Sequence, residues 1–81
     1  MITVGQAINK RIHELCDERG ITVNKLATLS GITQSTLSNI TGGRNNSTTV
    51  STIKKICDGL NITLKDFFDS TVFDDLEQEI R

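Results

Sequence analysis

The sequence predicts an all-α protein: five helices packed into one compact domain, with a short sixth helical segment at the C-terminus. Three observations carry that expectation. The chain has 81 residues, room for one domain at roughly 150 residues per domain. Its apolar content is dominated by ten Ile and seven Leu, with no Pro, Trp or Tyr. Apolar residues recur at intervals of three and four between Thr, Asn and Gly stops, and no run alternates long enough for a strand. A chain this short buries only about 60% of its unfolded surface, so its fold has to be economical.

Val4, Ile8, Ile12 and Leu15 fall at intervals of four, four and three, one stripe of an amphipathic helix that Gly20 stops. Thr22 can cap a second helix of little more than two turns, with Leu26 and Ala27 facing inward. Gly31 offers the left-handed residue that commonly closes a helix. Thr33 caps a third helix, whose buried side is Leu37 and Ile40 and whose end is Gly42-Gly43. The stretch GGRNNST is a loop by composition. Thr48 or Thr49 then opens a fourth helix with Val50, Ile53, Cys57 and Leu60 inside and Ile56 flanking them. Asn61 fits its end. Thr63 and Asp66 form a capping-box pattern, and Leu64, Phe67 and Phe68 give a short fifth helix its apolar side. Val72, Phe73, Leu76 and Ile80 follow at steps of one, three and four, along one side of a segment that Thr71 and Asp74 could cap. The expected division is a five-helix domain over residues 1–69 and an acidic tail over 70–81.

Charge adds the first functional information. The net value is −1, but from Arg19 to Cys57 there are five basic residues (Arg19, Lys25, Arg44, Lys54, Lys55) and no acid. From Asp58 onward two basic residues stand against seven acids. A positive stretch rich in Ser, Thr, Asn and Gln suits a surface that touches phosphates, whereas the acidic end would be repelled by them. No run approaches the roughly 20 apolar residues of a membrane helix, and MITVGQAINK lacks the basic start and long apolar run of a signal peptide, so a cytoplasmic protein is expected. Cys16 and Cys57 show no CxxC and the chain has one His, which fits neither a disulfide framework nor a zinc site; both cysteines are expected in the core. His13 alone supports no nucleophile and base pair, and GGR lacks the spacing of a phosphate loop. No enzymatic activity, metal or cofactor is expected.

What remains is TVNKLATLSGITQSTLSNITGG, residues 22–43, two short helices joined by a tight Gly-containing turn. Ala27 lets the helices approach, Gly31 turns the chain, and Ile32, Leu37 and Ile40 anchor the second helix by its inner side. Gln34, Ser35, Ser38 and Asn39 occupy the outer side. These are polar groups that donate and accept, as reading base edges in a major groove requires, where a merely solvated helix would more often carry Lys and Glu.

LATLSGITQSTLSNITGG resembles the helix-turn-helix of the phage repressor and Cro family, also called XRE. The likeness extends to ERGIT at the end of helix one, the polar loop after GGR, TVSTIKKICDGL and NITLKDFF, about residues 8 to 68. It implies that the helix starting at Thr33 is the recognition helix, with Gln34 and Ser35 reaching bases and Asn39 one turn further on. It also implies that Thr22, Arg44, Asn45 and Asn46 grip backbone phosphates on either side of the groove. The acid-free segment adds Lys25 and Lys54 to that grip. A Gln amide can bond adenine N6 and N7 together, in keeping with the family's use of Gln at this place.

Three departures stand out. Val23 occupies a place where many members have a phosphate-binding Gln. Cys16 and Thr41 replace a buried Arg–Glu pair, both partners together, so no charge is stranded. No Pro precedes helix four.

The expected function is sequence-specific binding of double-stranded DNA by a homodimeric transcriptional regulator, with no membrane and no small-molecule ligand involved. Two recognition helices must lie about 34–36 Å apart along one DNA face. Val72, Phe73, Leu76 and Ile80 are the expected dimerisation residues, with Leu64 or Phe68 beneath them. The alternative is a protein-interaction module, antitoxin-like or anti-repressor, which the acidic C-terminal third and near-neutral total charge favour.

Overall fold

The computed structural model describes residues 1–42 and 48–80. Five α-helices form as expected: α1 (Val4–Arg19), α2 (Val23–Ser30), α3 (Gln34–Thr41), α4 (Val50–Leu60) and α5 (Leu64–Phe68). A single 3-10 turn, Thr71–Phe73, is the sixth helical segment.

Helix starts follow from one device used repeatedly. Thr22, Thr33, Thr49 and Thr63 are each extended, and each hydroxyl accepts from the backbone N–H three residues on, at 3.0, 3.1, 3.2 and 3.0 Å. Of the two candidates for α4, Thr49 is therefore the cap. Helix α1 opens on a capping box absent from the sequence reading: Gln6 N–H donates to Thr3 Oγ1 at 3.1 Å, and Thr3 N–H donates to Gln6 Oε1 at 2.9 Å. Gly31 closes α2 at φ 68° and Asn61 closes α4 at φ 57°, both left-handed. Gly42 stays right-handed, at φ −79°, with its N–H donating to Ser38 O at 2.7 Å, so the end of α3 needs no left-handed residue.

The core gathers the expected stripes. Ile8, Ile12 and Leu15 of α1 meet Leu26 and Ala27, Leu37 and Ile40, the inner side of α4, and Phe67 of α5. Cys16 and Cys57 are buried there as small apolar residues, and burial pushes both thiols up, so they stay protonated. Two positions differ from expectation. Val50 is 66% exposed, because the inward stripe of α4 begins one turn later at Ile53, while Ile56, expected at its flank, is fully buried. Phe68 is 42% exposed, since its neighbour Phe67 takes the inward direction of this five-residue helix.

Helix α4 lies directly on the last turn of α2. A Cβ on Gly59 would stand 2.9 Å from both the carbonyl carbon and oxygen of Leu29 and 2.7 Å from Ser30 Oγ. That contact seats the first helix of the helix-turn-helix on the body of the protein.

Arg11 is the buried charge among the described residues. Its Nε donates to Phe67 O at 2.6 Å, Nη2 to Asp66 O at 2.8 Å and Nη1 to Glu14 Oε1 at 3.0 Å. Glu14 also accepts from the Ser70 hydroxyl at 2.9 Å. The last carbonyls of a helix have no partner within it, and here the guanidinium supplies one, tying α1 to the end of α5.

The tail folds back on the chain. Ser70, rather than Thr71, caps the 3-10 turn, and Asp74 ends it, its N–H donating to Thr71 O at 3.0 Å. Phe73 packs on the core, its ring 5.0 Å from Phe68 and 6.3 Å from Phe67. Past the turn the backbone bonds to the N-terminal residues: Ile2 N–H donates to Asp75 O at 3.4 Å, Glu77 N–H donates to Ile2 O at 2.8 Å, and Leu76 faces Ile2 in an isolated parallel bridge. That pairing takes Leu76 and Ile80 out of the helical turn, so the four apolar tail residues do not line one side of a helix. Val72, Phe73 and Leu76 are half-buried, and Ile80 is 87% exposed.

Candidate nucleic-acid interface

The turn between α2 and α3 is made of three residues, each with a local reason. Gly31 N–H donates to Thr28 O at 3.3 Å in the left-handed conformation, Ile32 N–H reaches Ala27 O at 3.2 Å, and Thr33 starts α3. Ile32 packs against the core and Leu37 and Ile40 are buried, which fixes α3 by one side. The other side is open. Gln34, Ser35, Ser38 and Asn39 are all exposed, two pairs spaced by four on one helical face, and none of their side chains hydrogen-bonds another described residue. Thr36 is exposed too, but its hydroxyl accepts from Thr33 Oγ1 at 2.9 Å within the cap. No acidic residue occurs in α2 or α3.

The predicted phosphate contacts divide into three groups. Thr22 and Lys25 stand together at the exposed N-terminal end of α2; the Thr22 oxygen accepts from Lys25 N–H at 3.0 Å, which leaves its O–H free to donate elsewhere. Lys54 is exposed on α4 and pairs with Asp58 one turn on; the hydrogen bond to that carboxylate raises the Lys54 pKa. Arg44, Asn45 and Asn46 lie outside the described residues. Val23 packs against the core instead of projecting toward a ligand. Where the family's Arg–Glu pair is replaced, Cys16 on α1 is buried, and the hydroxyl of Thr41 on α3 donates to Leu37 O at 3.1 Å, a local bond that needs no charged partner.

Several structural residues were missed. Arg11 had a signal: at three past Ile8 and four before Leu15 it lies inside the apolar stripe of α1, where a charge must find partners. Gly59 had one too, as a glycine within an otherwise regular helix. The Ser70–Glu14 bond joins positions 56 apart and leaves no local trace. His13 is exposed on α1. Among the described residues no three His, Cys, Asp or Glu side chains gather to hold a metal ion, and no helix is long and apolar enough to cross a membrane.

The family model of the Cro/C1-type helix-turn-helix DNA-binding domain matches residues 11–71. The chain belongs to this Cro/C1-type family. The match takes in most of α1 and all of α2 to α5, so in this Cro/C1-type domain α2 and α3 are the helix-turn-helix pair and the chain is a DNA-binding protein by family. The crystal structure of prophage Lp1 protein 11 is similar, with a TM-score of 0.81 and 36% identity over 94% of this chain and 100% of that one. A search among curated proteins finds no match.

Proposed function

We propose that this Cro/C1-type protein is a sequence-specific transcriptional regulator, acting as a homodimer on a two-fold-symmetric operator with α3 in the major groove. The open face of α3 carries the reading: four uncommitted polar side chains on a helix clamped to the core by its other side. Gln34, the first residue of α3, is the chief base reader, its amide suited to adenine N6 and N7. Ser35, Ser38 and Asn39 contact neighbouring bases. Thr22 and Lys25 take a phosphate at the start of α2, where the helix dipole favours negative charge. Lys54 takes another by exchanging Asp58 for it, and Arg44, Asn45 and Asn46 hold the backbone on the far side. A similar structure that is a prophage protein agrees with a regulator of the phage type.

Titration against random duplex at low and then at higher salt tests this reading. Binding that weakens steeply with salt is expected, since each neutralised phosphate releases counterions. No binding even at low salt would overturn it and turn attention to a protein partner.

A further inference from the structure

An open groove of about 650 Å³ lies where the tail meets the start of the chain, lined by Met1, Leu76, Glu77, Gln78 and Ile80. Its apolar part is uncovered: Met1 is 79% exposed and Ile80 87%, beside the half-buried Leu76. Two further features adjoin it. The first is a backbone edge. Ile2 N–H donates to Asp75 O and Glu77 N–H donates to Ile2 O, so the ladder pattern turns the backbone groups of Leu76 and Gln78 to the opposite side. Neither Leu76 nor Gln78 forms a backbone hydrogen bond with another described residue. The second is charge. Six acids and no base lie between Lys65 and Arg81, and Asp74, Asp75 and Glu79 among them are exposed on the tail segment that lines the groove. The terminal ammonium, 3.7 Å from Asp75, makes the only ion pair these three form among the described residues.

We propose that this groove and edge receive an extended segment of a different protein, one that alternates apolar residues with Lys or Arg. An unpaired edge takes a segment by strand addition, in which main-chain bonds hold the segment while alternate side chains enter pockets. The tail's own order is alternating: Asp75, Glu77 and Glu79 interleave with Leu76, Gln78 and Ile80. In extended backbone that order separates acids from apolar residues by face, and a basic–apolar segment matches both faces at once. The sign of the charge excludes nucleic acid as the occupant. A second copy is unsuited for the same reason, since it would set these acids against themselves. No residue of α2 or α3 lines the groove, so a chain that fails to bind duplex can still bind such a segment.

A fluorescein-labelled decapeptide of alternating Lys and Val, titrated with the full chain to about 1 mM and followed by anisotropy, tests this. Saturable binding is expected, weaker by at least about ten-fold when Glu replaces Lys in the peptide and by about five-fold or more when Ser replaces Val. Asp74→Lys combined with Glu79→Lys should lower affinity for the Lys–Val peptide at least about ten-fold and raise it for the Glu–Val peptide. Ile80→Ser, at a position too exposed to disturb the fold, should lower it about five-fold. Far-ultraviolet circular dichroism confirms that both proteins keep their helices. In amide NMR spectra of the full chain, the peptide should shift Leu76 and Gln78 most and leave α2 and α3 in place. Absence of binding, a Lys–Ser peptide that binds as well as the Lys–Val one, variants that both bind as wild type does, or shifts centred outside residues 1–2 and 74–80 would each overturn the proposal. So would wild type that self-associates in sedimentation and loses that association in Ile80→Ser, which would make a second copy the occupant.

Discussion

Replacing Arg11 by Met removes the bonds that join α1 to the end of α5 while keeping an unbranched apolar stem of similar reach. Three hydrogen bonds go, to Phe67 O, Asp66 O and Glu14. Asp66 is exposed, so water can replace the lost donor at its carbonyl, but Phe67 is fully buried and its carbonyl has no such substitute. A buried acceptor left unpaired costs about 1–3 kcal/mol, and the charged bond to Asp66 O adds a smaller net loss. Loss of the guanidinium's own desolvation cost offsets part of this, and the Glu14 carboxylate left behind has a side chain 40% exposed and keeps the Ser70 hydroxyl. The net loss is about 2 kcal/mol. For a domain of this size that lowers Tm by about 8–16 °C, measurable by thermal and urea unfolding followed by circular dichroism. Arg11→Lys should recover less than half, since one ammonium cannot serve two carbonyls and a carboxylate from a planar fork. Ser70→Ala, which strips Glu14 of its other partner, should combine non-additively with Arg11→Met. Stability of Arg11→Met within about 0.5 kcal/mol of wild type would refute the assignment of Arg11 as the brace between α1 and α5.

Gly59→Ala sets about 1 kcal/mol of gained helix propensity against a Cβ placed 2.9 Å from the Leu29 backbone, an overpacking that costs about 1–3 kcal/mol; a net destabilisation of about 1 kcal/mol in urea is expected, with weaker DNA binding because α2 shifts. Asp66 is held below the usual carboxylate range by the Thr63 N–H and hydroxyl, so its contribution is present above the ordinary value of 3.8 and is lost as pH falls through the lower folded value; Asp66→Asn should lower stability at neutral pH, flatten the acid limb between the two values, and match wild type more closely below the folded one. Arg44→Ala should weaken binding on all duplexes alike and lower the salt slope by about one unit; a loss confined to one sequence would make Arg44 a base reader instead.

What was legible in the sequence is what local chemistry decides. A Thr hydroxyl satisfies an N–H three residues away whatever the rest of the chain does, so Thr22, Thr33 and Thr63 marked their helices correctly. Gly31 and Asn61 did so through the left-handed conformation. The open polar face of α3 was legible for the same reason, because Leu37 and Ile40 determine which side is left over. The tail was not. Its apolar spacing fits a helix, but hydrogen bonds from Ile2 to Asp75 and from Glu77 to Ile2, across nearly the whole chain, draw it out after one turn. Arg11 depends on carbonyls 55 and 56 residues away. Phe67 and Phe68 are adjacent and chemically alike, and only the packing of α5 decides which one faces inward.

The central claim is that α3 reads bases through Gln34, and selection of bound sequences from a random duplex pool, run in parallel with wild type and Gln34→Ala, tests it most directly. The account predicts a two-fold-symmetric site for wild type and, for Gln34→Ala, relaxed preference at one position per half-site with the rest retained, at a cost of about 1–3 kcal/mol for the preferred base. An unchanged preference at every position, or a pool from which wild type enriches nothing, would contradict it.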